Sequence, residues 1–302
     1  MSLGLCCHWL DSQGNNLLKC SSLQLGRFRA GKYDEKRIRN TYLQNVERLE
    51  QALSWIAASG IRVFRISSSL FPLWDKVPQE YWDNAEVRNL MHRVGIKAKR
   101  HNIRLGMHPS QFVVLSSPDE NKRNNAMREI RFAAWQMRMF GASGPCINVH
   151  GGGKATPERE AQLIKSIEEL GDAGKMLTLE NCEFGWSVVN LLMVHLETKT
   201  PIVFDCHHHK FKTGALDGKT ALEAACATWP EGIKPLTHIS NSPPNLPEDA
   251  PNTQKRKHSD FIYEVPSYMR EANNNDLIDI EVEAKKKNRA IFKMVKELDM
   301  KL

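Results

Sequence analysis

The sequence of 302 residues has no apolar run that approaches the roughly 18–20 residues of a membrane span. Its start, MSLGLCCHWLDSQGN, has neither a basic leader nor a long apolar stretch. No secretory signal is therefore expected, and the chain reads as cytoplasmic. The seven cysteines (Cys6, Cys7, Cys20, Cys146, Cys182, Cys206, Cys226) are odd in number and form no CxxC, so neither a disulfide framework nor a zinc ribbon follows. A dinucleotide-binding glycine signal is also missing, since GGGK at 151–154 is not GxGxxG. No linker is visible, and no repeat beyond a strand–helix unit. What is present is 41% hydrophobic and 25% charged residues, an ordinary soluble composition with enough apolar material for a full core. The 42 Lys+Arg against 35 Asp+Glu leave a formal charge of +7, which by itself suits nucleic acid, an anionic surface or no partner at all.

Helical and strand patterns alternate along the chain. Asn40 precedes a helical stripe of Leu43, Val46, Leu49, Leu53 and Ile56 closed by Gly60, and Ile61–Ile66 then reads as a strand. A helix over Ala85–Arg100 leads to a strand at Ile103–Met107. Ser117-Pro118-Asp119-Glu120 reads as a capping box with proline at the first helical position, and Cys146–Val149 follows as a strand. Thr156-Pro157 opens the next helix, followed by a strand at Met176–Leu179. A helix near Ser187–Leu196 precedes a strand at Pro201–Phe204, and one near Lys219–Ala227 precedes a strand at Pro235–Ile239. An irregular segment over 241–276 separates these from the last strand, Ile278–Val282, and the last helix, Lys285–Leu298. With Leu3–Cys7 as the first strand, eight strands alternate with helices. The expected fold is one (β/α)₈ TIM barrel over 1–302 with a long active-site βα loop at about 241–276; the alternative is an open doubly wound sheet.

The ends of these strands carry a pattern. His108, His150, Glu180, Asp205, His238 and Glu283 close the third to eighth strands in succession. The intervals of 42, 30, 25, 33 and 45 residues bracket the roughly 31 expected if a ~250-residue barrel shares its length among eight units. Barrel active sites lie at the C-terminal ends of the strands, so these side chains would point into one ring. Imidazoles and carboxylates together suit Zn²⁺, Mn²⁺ or iron, with no thiolate required. With His207–His209 and His258 added, the supply would serve two or three ions. Ions ~3.5–4 Å apart can clamp the attacking and leaving oxygens of a phosphodiester. Any single strand-end histidine is more often a structural hydrogen-bonder; the argument rests on six in order. His207–His209 cannot all be ligands, because neighbours on an extended chain diverge. His92, His101 and His195 read as surface or packing residues, His8 is left open, and Cys182 and Cys206 read as small core-filling residues.

At these residues the sequence resembles the UV damage endonuclease family, metal-dependent (β/α)₈ DNA repair nucleases related to abasic-site endonucleases and xylose-isomerase-like barrels. The resemblance runs from FRISSSLFP (64–72) through MHPSQF (107–112), VHGGG (149–153), LEN (179–181), FDxxHH (204–209), HIS (238–240) and HSDF (258–261) to VEAK (282–285), in family order and spacing. It implies that His108, His150, Glu180, Asp205, His208, His238, His258 and Glu283 are metal ligands. Glu180 and Asp205 would bridge, and Glu180 and Glu283 would be catalytic through the metals. His208 matches the family's ligand three residues after the Asp. The implied cofactors are two or three divalent ions, Mn²⁺ first, with Zn²⁺ or Mg²⁺ as alternatives. The implied activity is hydrolysis of the backbone 5′ to UV photoproducts (cyclobutane pyrimidine dimers and 6-4 photoproducts), extending to abasic sites, by a monomer acting on damaged double-stranded DNA. Gln111 and Phe112 match a family pair that probes the lesion, Phe112 standing for a tyrosine; an aromatic wedge can fill the gap left by an unstacked step. The alternative for Phe112 is ordinary loop packing.

Three positions depart from the family. Leu236 replaces a modified lysine found in some relatives, Ser69 replaces a histidine, and the first strand offers Leu5, His8 and Trp9 where relatives place Tyr and Asn on the lesion. These put the third metal and the lesion spectrum in question. A sugar isomerase or epimerase on the same barrel is the second reading, and a damage-binding protein with weak or lost turnover is the third. Basic clusters at Lys97–Arg104, Lys122-Arg123, Lys255–Lys257 and Lys285–Arg289 are the candidates for a phosphate-binding face around the acidic ring.

Overall fold

The computed structural model describes residues 2–110 and 112–302. Eight parallel strands, β1 (Ser2–Cys6), β2 (Val63–Ile66), β3 (Arg104–Met107), β4 (Ile147–His150), β5 (Leu177–Glu180), β6 (Ile202–Asp205), β7 (Leu236–Ile239) and β8 (Asp279–Val282), close into a barrel in sequence order. Seven are four residues long, and almost every strand residue is buried, because one face lines the barrel interior and the other meets the helical shell. Helices follow the strands on the outside. The helix Glu35–Ala58 buries Ile38, Tyr42, Val46, Leu49, Leu53 and Ile56 against the barrel, the i, i+3/i+4 stripe of an amphipathic helix.

Several local expectations shift. The first long helix begins at Glu35, not after Asn40, because Asp34 caps it by accepting the Arg37 N–H. Asp119, not Ser117, caps Glu120–Met139 by accepting the Lys122 N–H. Thr156 and Pro157 open their helix as expected. The segment 241–276 is not irregular throughout: it contains helices at Asn252–Lys255 and Ser267–Asn274. The C-terminal strand ends fall within one residue of the expected positions, while β2 begins two residues late, at Val63. β1 stops one residue short, while β4, β5 and β6 run one further and take in His150, Glu180 and Asp205. His108 and Glu283 stand one position past β3 and β8, and His238 one position inside β7.

The barrel floor is apolar. Val63, Val203, Leu236 and Trp229 pack together there, with the Trp229 Nε1–H donating to the Ile202 carbonyl at 2.8 Å. Leu236 therefore belongs to this plug, two residues below His238 on the same strand face. Above the plug the interior turns polar. Gly4 makes this possible: a Cβ there would come within 2.9 Å of the Glu281 Cγ and 3.0 Å of Val63.

Candidate metal centre

Strand register sets the ring. It pairs His150 with Glu180 across β4 and β5, Asp205 with His238 across β6 and β7, and His238 with Glu281 across β7 and β8. Glu180 is the hub, 1% exposed. Its Oε1 lies 3.1 Å from His238 Nδ1 and 3.3 Å from His208 Nδ1, and its Oε2 lies 3.4 Å from His108 Nε2 and 4.0 Å from His150 Nε2. The Asn148 amide also donates to Oε2. Burial pushes the Glu180 carboxyl up, but His238 and His150 outweigh it and hold the pKa well below the ordinary carboxylate range. For His150 burial prevails and lowers the pKa.

Asp205 is fully buried and caps the short helix Cys206–Phe211. Its Oδ1 accepts the N–H groups of His207 and His208, each at 2.7 Å. Asn181 clamps the strand beneath: its Oδ1 accepts the Asp205 N–H at 2.8 Å, and its Nδ2 donates to the Asp205 carbonyl at 2.9 Å. The three consecutive histidines sit on this helical turn, not on extended chain, and the ~100° step between helical residues separates them. His207 turns its Nε2 to the Arg256 carbonyl, and His209 to the Leu216 carbonyl. Only His208 faces the ring. Its Nδ1 donates to the Asn181 carbonyl at 2.9 Å, and its Nε2 lies 3.6 Å from Glu183.

His238 is fully buried, its Nδ1 also 3.6 Å from Glu283. Burial and Arg65 disfavour its charge, yet Glu180 and Glu283 raise its pKa to about 10. His258 reaches Glu283 from the long loop, Nδ1 to Oε2 at 3.7 Å. All eight residues expected as ligands therefore converge on one mouth of the barrel. Phe112 is 80% exposed in the loop after β3, which disfavours ordinary loop packing; Gln111 lies outside the described residues.

Other expectations separate. Leu5 is in the core, and Trp9 is partly buried and packs edge-on against Phe292. His8 and Ser69 line one groove of about 490 Å³ with Ser67, Ser68 and Lys19. Of the basic clusters, Lys97–Arg104 lies at the far end of the barrel, because its helix runs back to the start of β3; Arg104 there pairs with Asp279 at 3.0 Å. Lys122-Arg123, Lys255–Lys257 and Lys285–Arg289 follow β3, β7 and β8 on the site's side.

Sequence reasoning missed four residues here. Arg65 on β2 is buried among Glu281, Glu283 and His238. Glu281 on β8 and Asn148 on β4 alternate inward with the ring, two positions behind the strand-end residues that drew attention. Glu183 stands in the loop after β5. Only the inward alternation of the strands signals the first three in sequence, and it does not separate them from core-facing positions.

The donor set fits a divalent cation. His108 Nδ1 lies 2.9 Å from the Pro109 carbonyl, which can only accept, so Nδ1 donates there and Nε2, 3.4 Å from Glu180 Oε2, is the nitrogen turned into the ring. Asp205 Oδ2 and His150 Nδ1 are buried without a hydrogen-bond partner among the described residues. Among the described residues, His108–His150–Glu180 and Glu180–Asp205–His238 each bring their ligand atoms within 4.8 Å of one another.

The sequence model of UV-endonuclease UvdE matches residues 1–301. A UV DNA damage endonuclease from Nostoc sp. is 34% identical over 269 residues, covering 85% of this chain and 78% of that protein. The UV DNA damage endonuclease of Deinococcus radiodurans is 31% identical over 306 residues, covering 96% and 93%. The crystal structure of SacUVDE superposes with a TM-score of 0.82 at 24% identity, covering all of both chains. Endonuclease IV from Thermus thermophilus, at a TM-score of 0.58 and 14% identity over 83% of this chain and 94% of that one, shares the barrel fold. With the family model spanning almost the whole chain and two relatives above 30% identity, this protein belongs to the UV-endonuclease UvdE family.

Proposed function

We propose that this chain is a metal-dependent DNA endonuclease that hydrolyses the phosphodiester 5′ to UV photoproducts and also acts at abasic sites, as a monomer built on one barrel domain. The observation that carries the reading is the convergence of strand-end imidazoles and carboxylates on Glu180 at one mouth of the barrel. His108, His150, Glu180, Asp205, His208 and His238 would hold the divalent ions, with Glu283 and His258 completing the ring on the β8 side. Bound there, divalent ions supply Lewis-acid stabilisation of the phosphoryl oxygens and a nucleophile at neutral pH. Mn²⁺ is the first candidate, with Zn²⁺ or Mg²⁺ as alternatives.

The chain's own residues do the rest. Asn148 and Asn181 fix the Glu180 carboxylate and the β5–β6 edge, so the ligands are held before substrate arrives. Phe112 stands free of the protein surface, as a wedge entering a weakened base step must. With Gln111 it would read the lesion, and a damaged dinucleotide costs less to unstack than a sound one. Lys255–Lys257 and Lys285–Arg289 flank the ring and would meet backbone phosphates, so binding should weaken with salt.

The test is an end-labelled duplex carrying one photoproduct or one abasic site, incubated with Mn²⁺, Mg²⁺ or Zn²⁺. Incision 5′ to the lesion, lost in Glu180→Gln and Glu283→Gln, is expected. Wild-type nicking by either variant sinks the assignment of the ring as catalyst. Damage-selective gel shifts without nicking would point to a damage-binding protein instead.

A further inference from the structure

Phe184, in the loop after β5, is 62% exposed, while its neighbours Cys182, Gly185 and Trp186 are buried. The backbone beneath it is fixed. The Cys182 N–H donates to the Trp186 carbonyl at 2.8 Å, and the Gly185 and Trp186 N–H groups point to Cys182 Sγ at 3.4 and 3.3 Å. The Gly185 carbonyl accepts the Ala155 N–H at 3.3 Å, and a Cβ at Gly185 would collide with the Gly153 carbonyl, so the turn is pressed against the loop after β4. The fully buried Trp186 anchors it from below, its Nε1–H donating to the Gly152 carbonyl at 2.9 Å. A single exposed phenylalanine is ordinary on a protein surface. This one is distinguished by what surrounds it.

One face of the ring is taken. The Arg256 guanidinium carbon lies 4.0 Å from the Phe184 ring centroid and 5.6 Å from that of Phe211, within cation–π reach of both. Arg256 comes from the long loop after β7, and its carbonyl accepts from His207 Nε2 at 3.3 Å. Among the described residues no ion pair engages the guanidinium, and its Nε is buried without a hydrogen-bond partner. Two aromatic rings, rather than a carboxylate, thus hold this positive charge in place.

The pair stands at the rim of the metal centre. Glu183, next to Phe184, lies 3.6 Å from His208 Nε2, and His258, two residues after Arg256, lies 3.7 Å from Glu283. Phe112 is exposed on a different loop, the one after β3. A wedge that enters a duplex displaces bases, and a displaced base loses its stacking partners. An aromatic face replaces them whatever the base, and an arginine beside it suits the attached phosphate.

We propose that Phe184, backed by Arg256, is a stacking platform for one nucleobase displaced from the substrate duplex, with the guanidinium meeting an adjoining phosphate. The inference rests on the DNA-endonuclease reading above and adds a second aromatic contact to it.

The experiment measures binding of the full chain to a duplex carrying one photoproduct, by fluorescence anisotropy in EDTA at low salt. 2-Aminopurine is placed either opposite the lesion or beside it in the damaged strand. Phe184→Ala and Phe184→Leu should each bind about 5- to 150-fold more weakly, the loss expected for one stacked base, while Phe184→Tyr binds like the wild type. In the Phe184→Leu complex, 2-aminopurine at one of the two positions should be brighter than in the wild-type complex, and that position identifies the strand. Arg256→Met should lower the slope of log affinity against log salt by about one, as loss of one phosphate contact does, whereas Phe184→Leu should leave it unchanged. Wild-type affinity in Phe184→Leu, or emission unchanged at both positions, overturns the proposal. Equal weakening in Phe184→Tyr overturns it too, since loss of the ring is then not the cause. A wild type that cuts no damaged duplex in Mn²⁺ refutes the nuclease reading; one that cuts it while Phe184→Leu binds as tightly refutes this inference alone.

Discussion

Without metal, protons stand in for cations in the ring, and this has a measurable consequence. His238 is fully buried; burial and Arg65 work against its charge, but Glu180 and Glu283 hold its pKa at about 10. His208 likewise lies well above its ordinary value, with burial opposed by Asp205 and Glu180. His238 therefore carries a proton at pH 7, His208 is biased the same way, and a metal ion must displace protons to bind. For His238 the gap of about three units corresponds to about 4 kcal/mol at ~1.36 kcal/mol per unit. Apparent Mn²⁺ affinity should rise about tenfold per pH unit for each proton released, and about a hundredfold where both rings release one. Calorimetric titration at pH 6.5, 7.5 and 8.5, in buffers of different ionisation heat, counts those protons directly. The stability of the metal-free chain should move the opposite way. Because the folded pKa of His238 exceeds its unfolded value of 6.5, its contribution is complete below pH 6.5 and is lost as pH rises through about 10. Glu180 and Glu283 are lowered from 4.5, so their contribution is present above that value and lost on acidification. The melting temperature of the metal-free chain should therefore fall between pH 7 and 10, while the Mn²⁺-loaded chain resists. An affinity flat across this range with no proton release would refute the reasoning.

Asn181→Ala removes both bonds that clamp β6 to β5 beneath Asp205 and should cost about 2 kcal/mol in a denaturant titration, with weaker Mn²⁺ binding. Gly151→Ala places a Cβ 2.4 Å from the buried Trp186 ring and should lower stability by about 1–3 kcal/mol, read as a drop in melting temperature. Phe112→Ala, at a position 80% exposed, should shift stability by less than about 0.5 kcal/mol and leave the metal count unchanged, while lowering the ratio of damaged to undamaged duplex cut. Retained discrimination in that variant, measured on matched duplexes, would remove Phe112 from lesion reading.

The order of elements was legible in sequence because it is written in local periodicity. The alternation of strands and helices survives, and the His and carboxylate residues from His108 to Glu283 stand at or beside the C-terminal strand ends, which are off by no more than one residue. Helix starts were less secure. Asp34 and Asp119 took the caps from Asn40 and Ser117, because several residues in each stretch have capping chemistry and only the backbone path selects one.

Charge is where tertiary structure decided most. By itself the sequence determined a soluble-type composition, eight βα units, a His or carboxylate near the ends of six strands, and the ordered motifs that carry the family resemblance. It could not show that Lys97–Arg104 falls at the opposite end from the site, since that depends on the direction in which a helix returns. Nor could it choose among His207, His208 and His209 on geometry, because the turn that separates them is set by the Asp205 cap. Arg65 and Glu281 are 216 residues apart, and each looks like one polar residue in an apolar strand. Closure of β8 onto β1 and pairing of β1 with β2 bring them together, and in a low-dielectric interior each charge would be costly to bury without the other. Local patterning thus determined which groups line the barrel mouth, and only long-range closure decided which of them already have a partner.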